Sequence, residues 1–475
     1  MIRLFAVAAL LVSLVGCSDQ EESQSPSAAR QDAMLRLLVV DDPALAAAAE
    51  LLRGEWKGQT GGSFEVQKTS TDGLLSAADL EADAVIFPSS LLGSLAEKKV
   101  LAPVPVRLLE EDAGNWSRIF SLLRGHEAVW GTDTFAVPFG SPVLVCYYRA
   151  DLLEKLGRQP PTTWKEYQGL AELLADRAAL GEAAPPEGSP WHGAIEPLAP
   201  GWAGRVLLAR AASYATHREH FSTLFNLDTM EPLIAGPPFV RALEELVAAA
   251  GPQAAERPSL DPAGVRAAFW EGQCGLALTW PSATAKDLKS TEPKPRVGFA
   301  QLPGSREVYD FAQQRWEDRD EGTDHRVTLL SISGRLGAVA RSSAAGEAAI
   351  QLLLWLSGEQ WSREVSRESQ ATTLYRESHA LNPAEWVEPT VPAEAAAQYA
   401  EVAQLALTRE QRLFALRLPG HVEYLAALDE AALKAIQGEQ TAQAALSEAA
   451  TRWEEITERL GREAQKDAYA RSLGL

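Results

Sequence analysis

Between residues 35 and 97 short apolar runs alternate with alanine- and leucine-rich runs, and this alternation restricts the fold more than any other feature of the chain. Residues 35–40, 64–69 and 83–88 read as strands, the last closed by Pro88, and residues 44–52 and 91–97 read as helices. Strands separated by helices call for a parallel sheet covered on both faces, because a parallel connection needs a crossover long enough to hold a helix. A second block of the same kind opens at Val137-Pro138 and continues through an apolar strand at 143–148. Thr163 with Glu166 three residues on makes a capping box at a helix start.

The rest of the chain is read by the same signals. Residues 181–200 are proline-rich and read as a loop, while 275–279 and 297–302 read as strands. Residues 305–326 are mostly polar around an isolated Trp316 and are expected to be an inserted surface loop. The tail from Tyr424 onward is helical. Thr441 is placed to cap its last long helix, whose stripe of Ala442, Leu446, Ala449, Trp453, Ile456 and Leu460 puts Trp453 in the core.

The N-terminus addresses the chain. Arg3 precedes an apolar stretch at 4–15 that is too short for a typical span of about twenty residues. Leu14-Val15-Gly16-Cys17 then has the form of a lipobox, so residues 1–16 are expected to be a signal peptide and Cys17 the lipidated residue. Residues 17–33, rich in Ser, Gln and Glu, read as a flexible tether. The expected location is the periplasm or cell surface, on a lipid anchor.

At 475 residues the chain is too long for one simple core and suggests two lobes. Its formal charge of −20 argues against nucleic acid and anionic lipid as partners. Cys146 and Cys274 read as two separate buried thiols, with a disulfide the alternative. No P-loop, nucleophile elbow or His-Glu-x-x-His motif is present, and no catalytic residue, cofactor or metal is expected. His217 and His220, three apart without a third ligand nearby, read as a solvated helix face.

Four ordered motifs carry a resemblance. Val137-Pro138, the strand at 143–148 and Arg149-Ala150-Asp151-Leu152 are one, with Arg149 where Asn is usual. Pro161-Thr162-Thr163-Trp164-Lys165-Glu166 is the second, and Ala268-Phe269-Trp270-Glu271-Gly272 running on to Trp280 is the third. The fourth joins the apolar helix at 348–356 to Gly438-Glu439-Gln440-Thr441. Together, over residues 35–465, they resemble the extracellular solute-binding proteins of ABC importers, family 1, which includes maltose-binding protein.

The resemblance implies an α/β, two-lobed periplasmic-binding-protein-like fold of type II, with discontinuous lobes, a hinge and a helical C-terminal tail. Residues 34–138 and 304–370 would form lobe one, and residues 139–303 and 371–475 lobe two. The chain would cross near 137–141 and return near 297–303. A small solute, most simply a carbohydrate, would sit between the lobes of a monomer and pass to a membrane permease. Trp280 and Trp202 are the candidate aromatic contacts. Asp41 and Asp42 at the end of the first strand, Ser89 and Ser90 at a helix start, and Gly140 and Ser141 at the first crossover complete the candidate set. The alternatives are the same fold reused as a sensor or scaffold, and an anchored secreted hydrolase, for which no carboxylate pair stands out.

The lipobox makes the first prediction. Mass spectrometry of the membrane-derived protein is expected to find a diacylated Cys17 at the mature N-terminus, and an unmodified terminus cut elsewhere would refute it.

Overall fold

The computed structural model describes residues 34–475 except 220–221, 252–258, 285–293 and 321. The expected signal, Cys17, the tether and His220 lie outside the described residues. Among the described residues no helix is long and apolar enough to cross a membrane.

The first alternation forms as expected. Strands Ser63–Thr69, Met34–Val40 and Ala84–Pro88 lie side by side and parallel. Helices Pro43–Leu51 and Leu92–Glu97 follow two of them. The sheet continues with Arg335–Ala340, which runs antiparallel to Ala84–Pro88 and also pairs with Leu101–Ala102 and Val137–Pro138. Both of these central strands are apolar throughout their middle and buried, as strands covered on two faces must be. Arg335–Ala340 comes from a segment nearly two hundred residues downstream of Val137–Pro138, so this body is discontinuous in sequence.

A second sheet holds Val297–Gln301, Val145–Arg149, Cys274–Thr279 and His192–Ile195 in that order. The Thr163–Glu166 capping box starts helix Trp164–Ala175, with both of its hydrogen bonds present. Cys146 and Cys274 are free and buried on neighbouring strands, and burial pushes both thiols well up. The Cys274–Thr279 register sets Leu278 against Cys146, which places the two cysteines four positions out of register.

Three features differ from the sequence reading. Strand His192–Ile195 lies inside the expected loop, at the end of the strand order, where it pairs with Cys274–Thr279. The expected surface loop contains a hairpin, Glu307–Asp310 with Arg315–Asp318. Its inner residues Val308 and Tyr309 are buried, and Tyr309 and Tyr214 both meet the ring of Trp316 edge-on. The hairpin packs on helices Ala203–Ala215 and Pro237–Ala250, and so belongs with the second sheet. The expected return at 297–303 is therefore early. Thr328–Leu330 still pairs with Arg412–Phe414, and the chain rejoins the first sheet only at Arg335.

The helical tail closes the structure. Helix Ala442–Leu460 is capped by Thr441, and Trp453 is fully buried, stacked on Phe225 with its Nε1 donating to the Tyr424 carbonyl. The last helix, Arg462–Leu473, reaches back to the first body, where Arg471 pairs with Glu97 at 2.7 Å.

Gly193 explains how so short an edge strand is held. A Cβ there would lie 1.7 Å from the Ala171 carbonyl oxygen, so the strand sits directly on helix Trp164–Ala175. Gly193→Ala is expected to cost at least about 1–3 kcal/mol, the range for overpacking a tight site. Chemical denaturation measures it, and an unchanged midpoint would contradict this close approach.

Candidate functional site

In an open parallel sheet the strands' carboxyl ends gather at one edge, which is where such folds place their ligands. Here that edge carries Asp41 and Asp42 after the first strand, and Ser89 and Ser90 after the third. Arg335 arrives at the same edge because its strand runs the opposite way.

Asp42 is buried and fully engaged. Its Oδ1 caps helix Pro43–Leu51 by accepting from the Leu45 amide. Its Oδ2 pairs with Arg335 Nε at 3.0 Å and accepts from Ser369 Oγ at 2.5 Å. The remaining Arg335 donors go to the carbonyls of Ser333, Gly334 and Asp41. Asp41 is exposed and left-handed, at φ +49°, with its carboxylate taken by the amide and hydroxyl of Thr71. Ser89 is buried with its amide on the Gly334 carbonyl, and Ser90 is half-buried.

Gly140 and Ser141 lie in the crossover. At φ +110° a Gly140 Cβ would meet the Thr373 carbonyl oxygen at 2.9 Å, so the position needs glycine. Ser141 Oγ donates to Glu127 Oε1 at 2.9 Å. The same carboxylate oxygen accepts from the Ser331 amide and hydroxyl, each at 3.0 Å. Burial pushes the Glu127 carboxyl up, and its bonds to serine hydroxyls hold it back. One buried acid thus ties the outgoing segment at 141 to the returning segment at 331.

The two candidate tryptophans meet at the end of the second sheet. Trp280 follows strand Cys274–Thr279, and its ring centroid lies 5.5 Å from that of Trp202. Trp202 is half-buried, with the Arg205 guanidinium 5.3 Å from its ring. Trp280 is only 3% exposed, and its Nε1 donates to the Gln370 carbonyl at 3.0 Å. Its own carbonyl accepts from Arg266, whose guanidinium also pairs with buried Glu388 at 3.3 Å. Burial raises the Glu388 carboxyl to about 7, against the pull of Arg266.

The candidate residues therefore form two groups, joined through one segment. Ser369 holds Asp42, and the next residue, Gln370, holds Trp280. The sequence reading did not single out Glu127, Arg266, Arg335, Ser369, Gln370 or Glu388. A charged residue inside or beside an apolar run was the available signal for Arg266 and Arg335. A cavity of about 400 Å³ opens elsewhere, beside His192–Ile195, lined by Leu246, Ala267, Leu433 and Ile436, and neither tryptophan lines it.

His217 corrects another expectation. It lies past the end of helix Ala203–Ala215 and is buried, not on a solvated helix face, because the hairpin covers it.

Two α/β bodies, a first sheet completed by a returning antiparallel strand, and several chain passages between the bodies define a type II solute-binding fold. Solved structures agree. A solute-binding protein of an ABC transporter from Agrobacterium radiobacter K84, in complex with ribitol, superposes with a TM-score of 0.61 at 19% identity, over 90% of this chain and 99% of that one. The sugar-binding protein MalE from Xanthomonas citri gives 0.65 at 18% identity, over 90% and 98%. Maltose-bound MalE3 from T. maritima gives 0.59 at 17% identity, over 89% and 99%. No curated protein matches the chain in sequence. The sequence profile of the bacterial extracellular solute-binding proteins matches residues 43–363, and the chain belongs to that family.

With its ring buried and its N–H bonded, Trp280 is part of the packing whatever else it touches. Trp280→Ala is expected to destabilise the ligand-free protein by about 3–5 kcal/mol, the usual cost of deleting a buried large ring. Denaturation of the variant measures this. A loss well under about 1 kcal/mol would place the ring outside the core.

Proposed function

We propose that this protein is the extracytoplasmic binding component of an ABC importer, a lipid-anchored monomer that captures a carbohydrate or polyol between its lobes and presents it to a permease. No catalytic step is assigned to it. The observation that carries the reading is the Trp202–Trp280 pair at the end of the second sheet, tied by Gln370 and Ser369 to Asp42 at the end of the first. Sugar sites combine flat apolar rings with a few fixed polar groups, and this edge supplies both. Family membership supports the solute-binding role, and the ribitol and maltose in the neighbouring structures support a polyhydroxylated solute.

Calorimetry against a panel of mono- and oligosaccharides and polyols is the test. The importer reading expects a saturable binder and a smaller radius of gyration in small-angle scattering when it is bound, because a ligand touching both lobes favours the closed state. A panel without any binder would overturn the carbohydrate assignment. A tight binder that leaves the radius unchanged would overturn closure.

A further inference from the structure

The hairpin brings two of its own carboxylates against a histidine from far upstream in the chain. His217 follows helix Ala203–Ala215, Asp310 ends the first hairpin strand and Glu317 lies on the second. His217 Nε2 is 3.4 Å from Glu317 Oε2, and one donor atom from each of the three residues lies within 4.8 Å of the other two. His217 and Asp310 are buried and Glu317 is half-buried.

Each side chain is held from behind. Asp310 Oδ1 accepts from the amides of Ala312 and Gln313 and so closes the hairpin turn. Glu317 Oε1 is bound by Arg315 at 2.7 Å, which directs Oε2 to the histidine. His217 Nδ1 accepts from the Glu219 amide at 3.2 Å, which leaves Nε2 as the nitrogen that faces the carboxylates.

We infer that His217, Asp310 and Glu317 form a binding site for one divalent transition-metal ion, with Zn²⁺ the best match. Imidazole nitrogen with two carboxylate oxygens is a donor set of intermediate hardness, suited to zinc and also acceptable to manganese. Calcium and magnesium prefer all-oxygen shells. Two carboxylates converging in a largely buried place repel each other, and a cation between them removes that cost. Three protein ligands leave a coordination position for water. A neutral imidazole carries one proton, so ligation through Nε2 moves that proton to Nδ1 and releases the Glu219 amide.

The site would act as a clamp. Its ligands come from the end of a helix and from both strands of the hairpin, so an ion bound there holds this insertion against the second body. Binding to the folded state alone stabilises it by mass action.

The full chain, stripped with a chelator and dialysed, is titrated with Zn²⁺ by calorimetry, with Mn²⁺ in parallel, and melted with and without metal. The expected result is one Zn²⁺ per chain and a raised melting temperature. Glu317→Gln and Asp310→Asn are each expected to weaken binding by about tenfold or more, since altering even a residue behind a ligand commonly costs that much. Glu317 is partly exposed, so Glu317→Gln is expected to melt like the parent in chelator and to lose only the rise with Zn²⁺. No saturable binding to the parent, or binding unchanged in both variants, would overturn the site.

Discussion

The carboxylate of Asp42 is the contact on which the arrangement of this molecule depends. It caps the first helix, pairs with Arg335 and holds Ser369, and so joins three segments that meet only in space. Strand Met34–Val40 is thereby fixed to the strand that returns from the second body and to the segment that leaves again. Buried pairs of this kind add little net stability over an apolar replacement, but removing one partner costs about 3–5 kcal/mol, because the other charge is left unpaired. What the pair provides here is a fixed meeting point for the three segments. Glu127 does the same for the first crossing, where one oxygen serves Ser141 and Ser331 together.

Legibility in the sequence followed the range of the interaction. The Thr163–Glu166 box, the Thr441 cap, the buried Trp453 and the strand–helix alternation depend on neighbours within one or two turns, and the structure has them. The edge strand at 192–195 was hidden because its flanking prolines are the usual sign of a loop, and because it rests on Gly193, which adds no apolar signal. The hairpin was hidden because its strands are short and charged, and its buried face depends on helices far upstream in the chain. His217 looked solvated for the same reason. Of the candidate site, the strand-end positions were legible from the fold. Their partners Arg335, Ser369 and Gln370 were not, since pairing across 90 to 327 residues leaves no local pattern.

The polar contacts differ in what a relative movement of the two bodies would do to them. Asp42, Arg335 and Ser369 all lie with the first sheet, and Arg266 and Glu388 with the second, so these pairs move as units. The hydrogen bond from Trp280 to Gln370 is of another kind, because its donor ends a strand of the second sheet and its acceptor follows the residue bound to Asp42. Opening the bodies has to break it and wet both groups. In water such an exchange is nearly even, at about 0.5–1.5 kcal/mol per hydrogen bond, a small term against the burial of two tryptophan rings. The ring contact between Trp202 and Trp280 lies wholly on the second body and survives opening. The aromatic pair therefore keeps its own contact in either state, while the Trp280 N–H and the Gln370 carbonyl are bonded to each other only when the bodies are together. On the reading proposed above, a solute that touches both bodies adds its contacts to this one in the closed state alone, which is the differential interaction a hinge needs in order to respond to its solute.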